Sequence, residues 1–175
     1  QAANGTQTLE LFGRSVAVQD LNADGFDDVV VGDPYFGNGQ SQEGRLLVYY
    51  GNASGIPSSP SWSFESNLAH AQLGFAVSTG FTSTLTGASI ILAGAPGYTN
   101  GQSGEGRLCL WSGGAGGIGA TPTWTYENNV AGGALGWAVD CGDLNNDGVD
   151  DLVAGAPFLS NGQSNEGRIY AWSTV

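Results

Sequence analysis

Asp20, Asn22, Asp24 and Asp28 fall within nine residues, and Asp143, Asn145, Asp147 and Asp151 repeat that spacing 123 positions later. The two stretches, 20–28 and 143–151, hold eight of the chain's ten aspartates. Oxygen side chains at loop positions 1, 3 and 5, with glycine at 6, suit the wrapping of a hard cation. Gly25 and Gly148 permit the sharp turn, the carbonyl of position 7 points inward, and Asp at position 9 adds a carboxylate. An EF-hand would carry Glu at position 12, where Val31 and Ala154 stand. No helical apolar period flanks either loop, so the expectation is a calcium loop set in a β-hairpin. Magnesium fits less well, because it keeps its waters and rarely sits in an all-protein cage. Clusters of Asp, Asn and Gly also build ordinary turns. Repetition of five oxygen-bearing positions in one register, each leading into an apolar run, favours the ion.

The loops belong to a longer repeat. Gly13-Arg-Ser-Val16, Gly74-Phe-Ala-Val77 and Gly136-Trp-Ala-Val139 open three units, 61 and 62 residues apart. Each then carries an apolar run ending in Gly-x-Pro: Asp28 to Pro34, Ile90 to Pro96 and Asp151 to Pro157. Next come Asn-Gly-Gln-Ser at Asn38, Asn100 and Asn161, and Glu-Gly-Arg at Glu43, Glu105 and Glu166. A β-rich run follows, and units one and two close on Trp62-Ser-Phe64-Glu65 and Trp124-Thr-Tyr126-Glu127. The continuous apolar run suits a strand covered on both faces, and the aromatic–polar alternation suits a half-buried one. Gly and Pro punctuate the gaps. Each unit therefore reads as four short strands, and the fold class as all-β, with units of the length of β-propeller blades. The units span approximately 11–66, 73–128 and 135–175, the last incomplete.

These motifs resemble FG-GAP repeats, the blades of the integrin α-subunit head and of many secreted bacterial proteins. The resemblance rests on Phe12-Gly13, Leu73-Gly74 and Leu135-Gly136, on the two Asp/Asn loops, and on Gly32-Asp-Pro34, Gly94-Ala-Pro96 and Gly155-Ala-Pro157. The Asn-Gly-Gln-Ser-x-Glu-Gly-Arg segment is similar to bacterial members more than to animal integrins. The resemblance implies metal ligands at Asp20, Asn22, Asp24, the Phe26 carbonyl and Asp28, and at Asp143, Asn145, Asp147, the Val149 carbonyl and Asp151. Two Ca2+ per chain are expected, in units one and three. Unit two, with Gly80 to Ile90 in the equivalent place, offers hydroxyls but no carboxylate, and no ion is expected there.

About two and three-quarter blades are present, whereas propellers use four to eight. Open flanks and strand edges invite pairing. A longer propeller, a ring closed by another chain, or an open stacked array would each cover them. Four Lys and Arg against sixteen Asp and Glu give a net charge of −12. That surface disfavours nucleic acid, whose phosphates need cationic partners, and anionic membranes. No apolar run is long enough to span a bilayer, and a mature chain starting at Gln1 would already have lost a leader. An extracellular or cell-surface setting is expected. Cys109 and Cys141, in adjacent units, either pair or stay as buried thiols, the second being the simpler case. Asn4-Gly-Thr6 and Asn52-Ala-Ser54 fit the glycosylation sequon.

The recurrent Glu and Arg of Glu-Gly-Arg are expected to shape the turn between strands two and three. Trp62, Trp124, Phe64 and Tyr126 are expected to pack between blades, and His70 to lie on the surface. No nucleophile–base pair or phosphate loop emerges, so no catalytic residue is assigned. A carboxylate beside a cation stays ionised, which disfavours Asp27 and Asp150 as general acids. The functional expectation is a calcium-binding extracellular propeller module acting as an adhesion or assembly scaffold for protein partners. Its alternatives are a glycan-binding, lectin-like module using Trp62 or Trp124, and a non-catalytic domain of a larger secreted enzyme.

Overall fold

The computed structural model describes residues 2–83 and 88–174. Strands and turns make up the described residues, in three antiparallel sheets of four, four and three strands. The first holds β1 (Ser15–Gln19), β2 (Asp28–Asp33), β3 (Arg45–Tyr49) and β4 (Trp62–Glu65) in that order. The second holds β5 (Ala76–Ser83), β6 (Ala88–Ala95), β7 (Arg107–Ser112) and β8 (Trp124–Glu127). The third holds β9 (Ala138–Gly142), β10 (Asp151–Ala156) and β11 (Arg168–Trp172). Each is a meander, the all-neighbour order of a propeller blade.

The apolar runs become the second strands, as their pattern dictates. Alternate residues on β2 and β6 face opposite neighbours, so both sets are buried. Val30, Leu46 and Val48 of sheet one meet Ile91, Ala93 and Trp111 of sheet two, with Leu73 between them. The other face of sheet two, with Ile90, Leu92, Leu108 and Leu110, meets Leu152, Ala154 and Ala156 of sheet three around Leu135. Every Gly-x-Pro starts a turn with Pro at its second position, a φ that proline presets. Phe36, Tyr98 and Leu159 donate their N–H groups to Asp33, Ala95 and Ala156 carbonyls at 3.4, 3.1 and 3.3 Å.

The aromatics of the fourth strands do pack between sheets. Trp62 and Phe64 lie 5.9 and 5.0 Å from Trp111, and Trp124 and Tyr126 lie 5.5 and 4.9 Å from Trp172. Both tryptophans proposed for sugar contact are thus committed to the junctions. Cys109 and Cys141 are free thiols, pushed up by burial to about 11 and about 12.

Unit one departs from its siblings at one corner. Asp33 stands where units two and three have Ala95 and Ala156, and Glu10 where the next linker has Ala71. Arg45 answers both: its Nε donates to Asp33 Oδ2 at 2.9 Å and its Nη2 lies 3.7 Å from Glu10 Oε2. The guanidinium also rests 3.6 Å from the Phe36 ring centre. Burial pushes Asp33 up to about 6; the Arg45 hydrogen bond and charge oppose this, and Glu10 adds to it. Asp33 Oδ1 is buried without a partner. Because the folded value lies above the ordinary 3.8, the folded state holds the proton more tightly. This group's contribution is full below about pH 4 and is lost as pH rises through about 6. Urea midpoints should therefore fall between pH 4 and pH 7, and Asp33→Asn should remove roughly 3 kcal/mol of that fall. Equal slopes in the two proteins would mean that Asp33 is ionised throughout.

Candidate metal-binding loops

Both Asp/Asn stretches join first strands to second strands, β1 to β2 and β9 to β10. Each is folded by its own side chains in the same way. Asp20 accepts from the N–H groups of Asp24 and Gly25 at 3.2 and 2.9 Å; Asp143 accepts from Asp147 and Gly148 at 3.1 and 2.9 Å. Asn22 Oδ1 accepts from Asp24 N–H at 3.0 Å, and Asn145 Oδ1 from Asp147 N–H at 2.9 Å. Asp24 and Asp147 each accept from the amide two residues on, Phe26 and Val149, at 2.9 Å. These are Asx-type turns, which fix short polar loops without a regular ladder. Gly25 and Gly148 take φ of 87° and 86°, the conformation for which glycine was expected. Position 4 is left-handed too, with Ala23 at 60° and Asn146 at 62°.

The position-9 aspartates play a different part. Asp28 is fully buried and accepts from Leu21 N–H and Gly51 N–H, both at 2.8 Å. It thereby fastens the loop to the end of β3. Burial raises its pKa; those two amides oppose the shift, and Asp24 and Asp20 add to it by like charge. Asp151 Oδ2 accepts from Leu144 N–H at 3.2 Å, while its Oδ1 is buried with no partner.

The first loop also reaches the neighbouring unit. Leu21 is buried in the junction of sheets one and two, and its carbonyl accepts from Gly114 N–H at 2.8 Å. In the third unit, Asp150 N–H donates to the Phe81 carbonyl and Asp150 Oδ2 accepts from Phe81 N–H, both at 2.8 Å. Asp150 is thus a strut between units.

All the assigned donors are hard oxygens, and each carboxylate retains lone pairs beyond the amides it meets. Among the described residues, no three His, Cys, Asp or Glu side chains already stand together as a ready-made ligand group. The chemistry of the donors fits calcium, whereas their present arrangement is one that caps amides. The equivalent stretch of unit two lies partly outside the described residues, at 84–87; its flanking strands are longer and carry a register shift between Phe81 and Ser83.

Glu43 and Glu105 are buried and cap the strand-two to strand-three loops through the N–H groups of Asn38 and Asn100, the latter at 2.6 Å. Glu166 is exposed and accepts from Gln163 N–H at 2.9 Å. Arg107 lies 3.6 Å from Glu127 and stacks on Tyr98. His70 is exposed.

Antiparallel meanders of four, four and three strands, stacked face to face, are the arrangement of β-propeller blades. The FG-GAP repeat family model matches residues 12–49 and 135–172, so the chain carries FG-GAP repeats in its first and third units. Phosphatidylinositol-glycan-specific phospholipase D of Rattus norvegicus is 33% identical over 171 residues, covering 91% of this chain and 20% of the relative. The human enzyme of the same name gives the same figures, 33% identity, 91% and 20%. Integrin alpha-8 of Mus musculus is 45% identical over 62 residues, 35% of this chain and 6% of the relative. The chain spans about a fifth of the phospholipases it resembles. No helix among the described residues is long and apolar enough to cross a membrane.

Proposed function

We propose that this chain is a calcium-held segment of an extracellular propeller, a scaffold whose loops are presented to protein partners. One observation carries the reading: two loops 123 positions apart share the same hydrogen-bond frame and the same hard-oxygen donors. Calcium would be held by Asp20, Asn22, Asp24, the Phe26 carbonyl and Asp28 in unit one. Asp143, Asn145, Asp147, the Val149 carbonyl and Asp151 would hold the second ion. The unpartnered buried Asp151 Oδ1 supports this, because a buried acceptor without a partner is costly. The like charge that Asp24 and Asp20 present to Asp28 supports it too, since a cation would turn that repulsion into attraction. The integrin likeness supports adhesion as the use of the scaffold, though one fold hosts many functions.

The test is metal content after dialysis against calcium and then buffer. The native chain should retain two ions, and Asp24→Ala and Asp147→Ala about one each. Unchanged content in either variant would remove the ligand assignment. A second reading, a non-catalytic domain of a larger secreted enzyme, is supported by the phospholipase match along 91% of the chain.

A further inference from the structure

The repeat sets an arginine at the start of each third strand, and units one and two surround it differently. Arg45 and Arg107 stand opposite Asp33 and Ala95 in the β2–β3 and β6–β7 pairings. Each guanidinium lies over an aromatic ring of the turn after the second strand, Phe36 at 3.6 Å and Tyr98 at 4.9 Å. Two acidic neighbours match as well. Glu65 and Glu127 accept from the Nδ2 groups of Asn38 and Asn100 at 3.1 and 3.0 Å. Glu43 and Glu105 cap the backbone N–H groups of the same asparagines.

The remaining neighbours do not match. In unit one the chain brings two further carboxylates to the guanidinium: Asp33 accepts from Nε at 2.9 Å, and Glu10 lies 3.7 Å from Nη2. In unit two both positions are alanine, Ala95 and Ala71. Arg107 Nε is buried and meets no hydrogen-bond acceptor among the described residues. Glu127 Oε1, 3.6 Å away, is beyond bonding range. A buried charged donor without an acceptor is unfavourable.

The space that carboxylates fill in unit one is open in unit two. A cavity of about 130 Å3 between sheets one and two takes in Ala71, Ala95 and Arg107. Phe64, Leu68 and Leu73 give it an apolar wall. Such a volume has room for about six heavy atoms, the bulk of a benzene ring. Leu68, 43% exposed, and the Arg107 side chain, 26% exposed, put it within reach of solvent. Among the described residues that line it, Arg107 alone is charged, since burial pushes the Cys109 thiol up to about 11 and keeps it neutral. Every one of these residues belongs to units one and two or to the linker between them, so the cavity is formed whatever adjoins the chain.

We propose that this cavity binds a short-chain monocarboxylate, of acetate to butyrate size, with its carboxylate on Arg107 Nε and its alkyl end against Leu68, Leu73 and Phe64. The ligand's carboxylate takes the place on Arg107 that Asp33 takes on Arg45. An ionised acceptor on an ionised donor makes the stronger class of hydrogen bond. The apolar wall disfavours a hydrated inorganic anion, which would lose water there without new partners. Glu105, Glu127 and the ligand would make three acidic groups in this region, against Glu10, Asp33, Glu43 and Glu65 in unit one. The site is independent of the calcium loops.

Titration of the whole chain with sodium acetate and sodium butyrate, followed by amide-resolved NMR at constant ionic strength, tests it. Saturable shifts should centre on Leu73, Ala95 and Cys109, with butyrate binding tighter than acetate. Arg107→Gln keeps an amide donor but removes the charge, and should weaken binding roughly tenfold or more. Ala95→Asp reproduces the carboxylate of unit one and should abolish saturable binding in a folded chain. If that variant does not fold, Arg107→Gln decides alone. Shifts that never saturate, the same shifts from sodium chloride alone, or an Arg107→Gln chain that binds like the native one overturn the proposal. Binding should persist in chelator, so this result stands apart from the test of the calcium loops.

Discussion

Gly94→Ala is expected to cost the chain about 3 kcal/mol or more, the largest loss from the addition of one methyl group. The new Cβ would sit 1.9 Å from the Gly136 oxygen, 2.7 Å from its carbonyl carbon and 2.8 Å from its Cα. All three atoms are backbone, so no side chain can swing aside. Gly136 is itself fixed, its N–H bonded to the Gly155 carbonyl at 3.1 Å. Relief therefore requires sheets two and three to separate, which loosens the cluster around Leu92, Leu108 and Leu135. Gly94 has no left-handed φ, so the effect is contact and not conformation. Gly155→Ala, the same change where the described chain leaves space around the new Cβ, should stay within about 0.5 kcal/mol of the native chain when both are monomeric. Chemical denaturation of the pair is the measurement, and equal midpoints would refute the close crossing.

That crossing shows where the sequence was legible and where it was not. The strands could be read because apolar runs, Gly-x-Pro turns and aromatic alternation are local signals, and the structure places strands on all of them. Stacking could be anticipated because runs such as Ile90 to Ala93 leave no solvent face. The recurring glycines of Gly32, Gly94 and Gly155 were visible as a motif, but the reason for Gly32 and Gly94 is a contact with a residue 42 positions away, as between Gly94 and Gly136. No spacing rule reveals that. The Asp33–Arg45–Glu10 corner was missed although Asp33 visibly replaces the alanine of its siblings. A charge at a position that is apolar in other copies of a repeat was the available signal. In the loops, residue types marked positions 1, 3, 5, 6 and 9. The left-handed turn at Ala23 and Asn146 was not marked, since alanine gives no hint of positive φ. Nor did the sequence show that Leu21 carries the first loop into the next unit, because the two loops read alike and only their neighbours differ.

That difference sets the outcome expected from removing calcium. A ligand held only by the folded state stabilises it by mass action, about 2.7 kcal/mol per site when its concentration is a hundredfold above its dissociation constant. Two such sites amount to roughly 5 kcal/mol, or a drop of about 10–20 °C in unfolding midpoint for a chain of this size. The two loops should not share the loss equally in a variant series. Asp24 turns the loop from which Leu21 enters the junction of sheets one and two, where Gly114 N–H holds its carbonyl at 2.8 Å. Asp147 turns a loop whose Leu144 is exposed. With an ion in each loop, loosening the first would release packed apolar surface besides the ion, whereas loosening the second would release, besides its ion, the exposed Asp150–Phe81 hydrogen bonds. Asp24→Ala should lower the midpoint in calcium by more than Asp147→Ala, and in chelator the gap should shrink to what the packing of Leu21 contributes without metal. Differential scanning calorimetry of the native chain and both variants, each with calcium and with chelator, reads all of these quantities together. A native midpoint that does not move with chelator would show that the amide-capping frame of the loops is sufficient by itself, and that the aspartates are there for the turn.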